Sequence, residues 1–277
     1  MNLHRSVALL FVAAVLMSGV VVAQTPAKGG FEPYVGQPGK DVVWVPTPEA
    51  VVERMLDLAK ATPGDFLVDL GSGDGRTVIT AAKKGIRAMG VEFNPDMVAI
   101  SNREAARQGV ADKVKFVNGD IFATDFSQAS VITLYLLPSL NVKLRPMLLA
   151  MKPGTRVVSH AFNMADWEPD ETATPEGRQV FLWIVPAKAS GTWRLQMGGS
   201  ARELSLQQNF QKLQGTLRSG TESLSVFDAQ LRGDDLRFSV IEKGGTRRDF
   251  IGKVQGGNMS GVVRVSGQES PWNAAKQ

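Results

Sequence analysis

Apolar positions along this chain come first in blocks and later in strict alternation, and the change falls near residue 190. Val51, Val52, Met55, Leu56 and Ala59 lie on one face of a 3.6-residue period, which predicts a helix. Thr47 is placed as its N-cap, Pro48 as its first residue and Glu49 as an acid in its first turn. The run Phe66-Leu67-Val68-Asp69-Leu70 is continuously apolar except for one acid near its end, as expected of a strand buried on both faces. After a glycine-rich turn the pattern predicts a helix over 77–84, a strand over 86–92 and a helix opened by Asn94-Pro95-Asp96 and closed by Gly109. Further strands follow at 114–117, 131–136, 156–160 and 180–185. Alternating strand and helix predict a parallel, doubly wound α/β sheet of Rossmann type, with its ligand beyond the carboxyl ends of the strands.

From Gly191 the chain breaks into short alternating stretches such as WRLQM, ELSLQQNF, LRFSVIE and SGVVRVSG, separated by Gly, Ser, Asn and Asp. This spacing predicts a small antiparallel β meander or barrel, with Trp193 and Trp272 as core or closing residues. At the other end, His4 and Arg5 precede an apolar run from Val7, and Val21-Val22-Ala23 ends it with small residues where a signal peptidase reads. The expected organisation is a signal peptide over 1–23, an irregular Gly/Pro-rich arm over 24–45, an α/β domain over 46–198 and a β domain over 199–277. Such a leader implies an exported protein, periplasmic or secreted, with an uncleaved N-terminal anchor as the alternative and no other membrane contact.

Composition narrows the chemistry. The 277 residues contain no cysteine, which excludes disulfides, thiolate nucleophiles and Cys-ligated metals, and His160 is the one histidine outside the leader. No metal site is expected. Within the net charge of +4, residues 46–187 carry −2 and residues 199–277 carry +3, and neither value suggests a surface that tracks nucleic-acid phosphates.

The informative segment is Asp69-Leu70-Gly71-Ser72-Gly73-Asp74-Gly75-Arg76, set between a strand and a helix. Its glycines let the backbone turn sharply and approach a ligand closely. Glu92 ends the second strand, 21 residues after Gly71, where doubly wound nucleotide binders place an acid on ribose hydroxyls. Asp120 follows the third strand, placed to accept from an adenine amino group while Ile121 or Phe122 flanks the ring. Three acids at three successive strand ends share one predicted ligand edge.

With VDLGSGDG as first cofactor motif, GVEFN for the ribose acid and NGDIF for the adenine acid, residues 46–160 resemble a class I S-adenosylmethionine-dependent methyltransferase. PTPEAVVERML ahead of DLGSGDGR and GVEFNP is similar to the small lysine methyltransferases within that superfamily. The resemblance implies S-adenosylmethionine as cofactor, with Asp69, Gly71, Ser72 and Gly73 on its methionine side, Glu92 on the ribose, and Asp120 and Ile121 at the adenine. It implies an amine acceptor, a protein lysine in the first instance, and no nucleic-acid partner. The glycine spacing G-x-G-x-G, in place of G-x-G-x-x-G, sets the chain apart from NAD-dependent dehydrogenases.

After the fourth strand, base-modifying amino-methyltransferases carry Asn or Asp, two prolines and an aromatic residue; here the segment reads Leu134-Tyr135-Leu136-Leu137-Pro138. Tyr135 therefore becomes the candidate residue beside the transferred methyl. His160 is a weaker candidate base, and the acidic loop Asp166-Trp167-Glu168-Pro169-Asp170-Glu171 a candidate contact for a cationic lysine. The alternative function is an exported ligand-binding protein whose methyltransferase fold has lost its chemistry.

Overall fold

The computed structural model describes residues 31–277, so the expected leader and the first part of the arm lie outside the described residues. The first sheet contains seven strands: β1 (Phe66–Leu70), β2 (Arg87–Glu92), β3 (Val114–Asn118), β4 (Val131–Leu134), β5 (Arg156–His160), β6 (Glu171–Ala173) and β7 (Val180–Ile184). Their order is β3-β2-β1-β4-β5-β7-β6, and all run parallel except β7, which is antiparallel to both of its neighbours. The chain order reverses between β1 and β4, so ligands are expected at the carboxyl ends of β1 and β2 beside that crevice.

Four helices cover the sheet: α1 (Glu49–Leu58), α2 (Arg76–Lys83), α3 (Pro95–Arg107) and α4 (Pro138–Leu149). Asn94 caps α3 as expected, its side-chain oxygen accepting from the Asp96 N–H at 2.9 Å. Thr47 does not cap α1. Its hydroxyl lies 3.2 Å from His160 Nδ1, and Pro48 takes the cap position without a side-chain hydrogen bond. β4 is two residues shorter than expected, so Tyr135 and Leu136 stand beyond the strand in the turn before α4. On both faces the sheet buries apolar side chains, among them Leu67, Val68, Leu70, Val91, Ile132 and Val157.

The second sheet contains nine antiparallel strands: β8 (Gly191–Met197), β9 (Ser200–Asn209), β10 (Lys212–Ser219), β11 (Glu222–Ser225), β12 (Phe227–Arg232), β13 (Asp235–Ile241), β14 (Arg247–Gln255), β15 (Asn258–Val265) and β16 (Gln268–Lys276). It starts at Gly191, ahead of the boundary expected at 199, because the alternating stretch WRLQM pairs with β9 and β16. Its order is β11-β10-β9-β8-β16-β15-β14-β13-β12, so the two edge strands are successive in sequence. The edges curl back together, β12 lying beside β10 and β11 beside β13, and the sheet is a nearly closed barrel. Its interior is filled by side chains: Phe238 stacks on Phe250 at 4.5 Å, Trp272 meets both edge-on, and Trp193 is fully buried.

Candidate active site

The glycine loop after β1 is held to β2 by the Gly71 and Ser72 N–H groups, both donating to Val91 O. Gly73 (φ +53°) and Gly75 (φ +79°) adopt the left-handed conformation that side chains disfavour. A methyl group at Gly75 would come within 2.8 Å of Phe116 and Ser101, so this turn packs directly on α3 and β3. The loop opens one wall of a cleft of about 1050 Å³, measured out to its open mouth.

The structure brings Asp69, Gly71, Ser72, Gly73, Glu92, Asp120, Ile121 and Tyr135 to this single cleft. Glu92 accepts from the Gly73 N–H through Oε2 and from the Asn94 N–H through Oε1, each at 2.9 Å. Each carboxylate oxygen therefore keeps a free lone pair. Asp120 Oδ1 accepts from the Phe122 N–H at 2.9 Å, and Oδ2 pairs with Lys40 Nζ at 2.6 Å. The Lys40 ammonium and the Phe122 N–H hold the Asp120 carboxyl below the usual carboxylate range. Burial pushes Asp69 up to about 7, against the opposing hydrogen bond that its Oδ1 accepts from Thr133 at 2.7 Å. Ser72 lines the cleft, but its hydroxyl packs toward Gly90.

Tyr135 sits at the far end of the cleft, half-buried, its ring 4.0 Å from that of His160 and 6.0 Å from that of Phe162. His160 lies behind it, almost wholly buried and outside the cleft lining, and burial lowers its pKa to about 4. It is a neutral packing partner of Tyr135, not a base facing the acceptor. The acids of 166–171 do not reach the cleft either. Asp166 pairs with Arg145, Glu168 with Lys212 and Glu171 with Arg232, while Asp170 accepts from the Ile184 N–H at 2.7 Å. Two of those partners belong to the barrel, so the loop joins the two sheets.

The arm holds the residues that the sequence pattern missed. Residues 36–44 form a small hairpin, with a bridge between Pro38 and Val43 and the Trp44 N–H donating to Gln37 O at 2.9 Å. Buried Gln37 anchors it to Met97 of α3, Trp44 lies over Gly73, and Lys40 reaches both Asp120 and the face of Phe93. The hairpin thus roofs the cleft. Nothing periodic marks it, and the lone Trp44 in a Gly/Pro-rich stretch is the one signal that it packs.

Residues 69–171 match the ANTKMT methyltransferase domain family. The chain is 42% identical over 151 residues to a protein-lysine N-methyltransferase of Saccharolobus islandicus (strain REY15A), a match spanning 52% of this chain and 94% of that protein. It is 36% identical over 161 residues to the adenine nucleotide translocase lysine N-methyltransferase of Mus musculus, a match spanning 57% of this chain and 65% of the relative. Among solved structures, an RNA methyltransferase from Salinibacter ruber in complex with S-adenosyl-L-homocysteine is 52% identical with a TM-score of 0.51, covering 52% of this chain and 95% of that one.

Proposed function

The chain belongs to the lysine N-methyltransferase family of class I S-adenosylmethionine-dependent enzymes, and from that premise we propose that it methylates the side-chain amine of a protein lysine. The observation that carries this reading is the convergence of Asp69, Glu92 and Asp120 on one cleft whose far end is lined by Tyr135. S-adenosylmethionine supplies an electrophilic methyl on a positively charged sulfur. Glu92 keeps two free lone pairs for the vicinal hydroxyls of a ribose, Asp120 offers an acceptor to an adenine amine, and Asp69 faces the cationic methionine end. The protein's remaining task is alignment: a neutral amine must meet the methyl in line with the breaking carbon–sulfur bond. Tyr135 is the polar side chain we assign to orienting that amine.

The RNA methyltransferase similarity favours a second acceptor class, against which stand the net charge of −2 over 46–187 and the Tyr135-Leu136-Leu137-Pro138 turn. Supplying labelled S-adenosylmethionine with either envelope proteins or total RNA decides between them. Methyl-lysine found by tandem mass spectrometry is the expected result, and label confined to RNA would sink the lysine reading. The exported location is part of this proposal and rests on residues 1–23; cell fractionation checks it.

Asp69 makes cofactor binding sensitive to pH. Its raised pKa means that the folded, unliganded chain holds a proton there that the unfolded chain releases near 4. That contribution to stability is full below about pH 4 and is lost as pH rises to about 7. The cationic cofactor prefers the carboxylate, so its binding displaces the proton. Affinity for S-adenosylmethionine is expected to be about tenfold weaker at pH 6 than at pH 8 by calorimetry. Asp69→Asn should bind more weakly and flatten this dependence; an unflattened profile would assign the proton elsewhere.

A further inference from the structure

The loop from Ala161 to Glu168 is held in a conformation that its own sequence does not favour. Ala161 (φ +64°) and Ala165 (φ +56°) both occupy the left-handed region without being glycine. Such strain persists where the surroundings over-determine the backbone. On one side α4 provides restraints: Asn141 Nδ2 donates to Phe162 O at 3.2 Å and to Asn163 O at 3.3 Å, and Arg145 donates to Met164 O at 3.0 Å. From β7, Trp183 Nε1 donates to Trp167 O at 2.7 Å.

The remaining restraints come from the barrel. Asn209 pairs with Lys212, so Phe210 and Gln211 form a two-residue hairpin turn. Turns of this length favour Asn-Gly or another glycine-containing pair, because they need positive φ. Here Phe210 takes φ +53°, against its own preference. The side chains at this tip are used elsewhere. The Phe210 ring stacks on fully buried Trp167 at 5.8 Å, and Arg145 lies over its face. Gln211 accepts from Trp167 Nε1 at 3.1 Å and donates to Glu168 O at 2.6 Å, and Lys212 pairs with Glu168 at 2.7 Å. The same loop carries Phe162, whose ring stacks on Tyr135 at the end of the cleft.

We propose that the β9–β10 hairpin tip is a positioning element for methyl transfer: Phe210 and Gln211, acting through Trp167, hold the 161–168 loop so that Phe162 keeps Tyr135 in place beside the acceptor. This rests on the methyltransferase reading of the cleft and gives the barrel a part in catalysis without touching substrate. Small displacements of an aligning group cost rate steeply, whereas the cofactor's own contacts lie on other loops.

The test compares Phe210→Ala, Gln211→Ala and the conservative Phe210→Tyr in the full chain. Amide hydrogen exchange over 161–168 is expected to rise about tenfold in the two alanine variants, with exchange over the glycine loop unchanged. With polylysine as methyl acceptor, kcat should fall about tenfold while KM for S-adenosylmethionine stays within about twofold, and Phe210→Tyr should restore both exchange and kcat. Unchanged exchange overturns the proposal, as does faster exchange with an unaltered kcat. Wild-type enzyme inactive on polylysine would count against the lysine acceptor alone, and the exchange results would then decide the brace.

Discussion

Titrating S-adenosylmethionine into Glu92→Ala is expected to return an affinity roughly ten- to a hundredfold below wild type, the loss of about 1.5–3 kcal/mol that hydrogen bonds to a charged acceptor contribute. The expectation follows from how the carboxylate is already used. Its two oxygens each accept one backbone N–H, from Gly73 and from Asn94, which fixes the plane of the group and leaves one acceptor position per oxygen. Two aligned acceptors suit two adjacent hydroxyls. Alanine removes both and also frees the Gly73 N–H, so a lower melting temperature should accompany the weaker binding. Glu92→Gln separates these effects, because the amide retains the shape but only one acceptor oxygen. Wild-type affinity in Glu92→Ala would remove Glu92 from the cofactor site altogether.

Gly75→Ala should destabilise the fold by about 2–5 kcal/mol, the sum of a left-handed residue and a methyl group forced into a filled space. The φ of +79° supplies the first part. Phe116 Cζ at 2.7 Å and Ser101 Cβ at 2.8 Å from the new methyl supply the second: the Phe116 ring is packed against the core and Ser101 Cβ is fixed to the α3 backbone. Ser101 also donates to Gly73 O at 3.1 Å, so relief by moving α3 would disturb the cofactor loop. Urea unfolding measures the stability change, and a loss under about 1 kcal/mol would mean that the loop yields more easily than its packing implies. Gly109 makes a control, since its φ is also positive but nothing stands within 4 Å of an added methyl.

The α/β half was legible in the sequence because its strands are buried on both faces and bounded by strong turn signals. That Asp69, Glu92 and Asp120 meet at one cleft was legible for a related reason: each lies near or just past the end of a strand, and a sheet of this topology collects strand ends at one edge. α4 was not foreseen, as Pro138 and Pro146 both interrupt a helical reading although the first sits at the helix start. β16 was missed for the same residue type, Pro271 lying inside it. Thr47 shows the limit of local chemistry, since a perfect cap residue is drawn instead to a histidine 113 positions away. The arm and the acidic loop failed together. Their roles depend on tertiary partners, Asp120 and Gly73 for the one, the barrel for the other, and no local period encodes such contacts.

Lys40 gives the Asp120 end of the cleft a resident donor. Its ammonium sits on Asp120 Oδ2, an oxygen that the proposed function would offer to an adenine amine. An amine that displaced Lys40 from that oxygen would exchange one N–H donor for another and leave the count of hydrogen bonds on Asp120 unchanged. Under the proposed function, discrimination and affinity would then separate in space: Asp120 would select a base that carries an amine in the right place, while the net gain on binding would come from Glu92 and from the surfaces under the 36–44 hairpin.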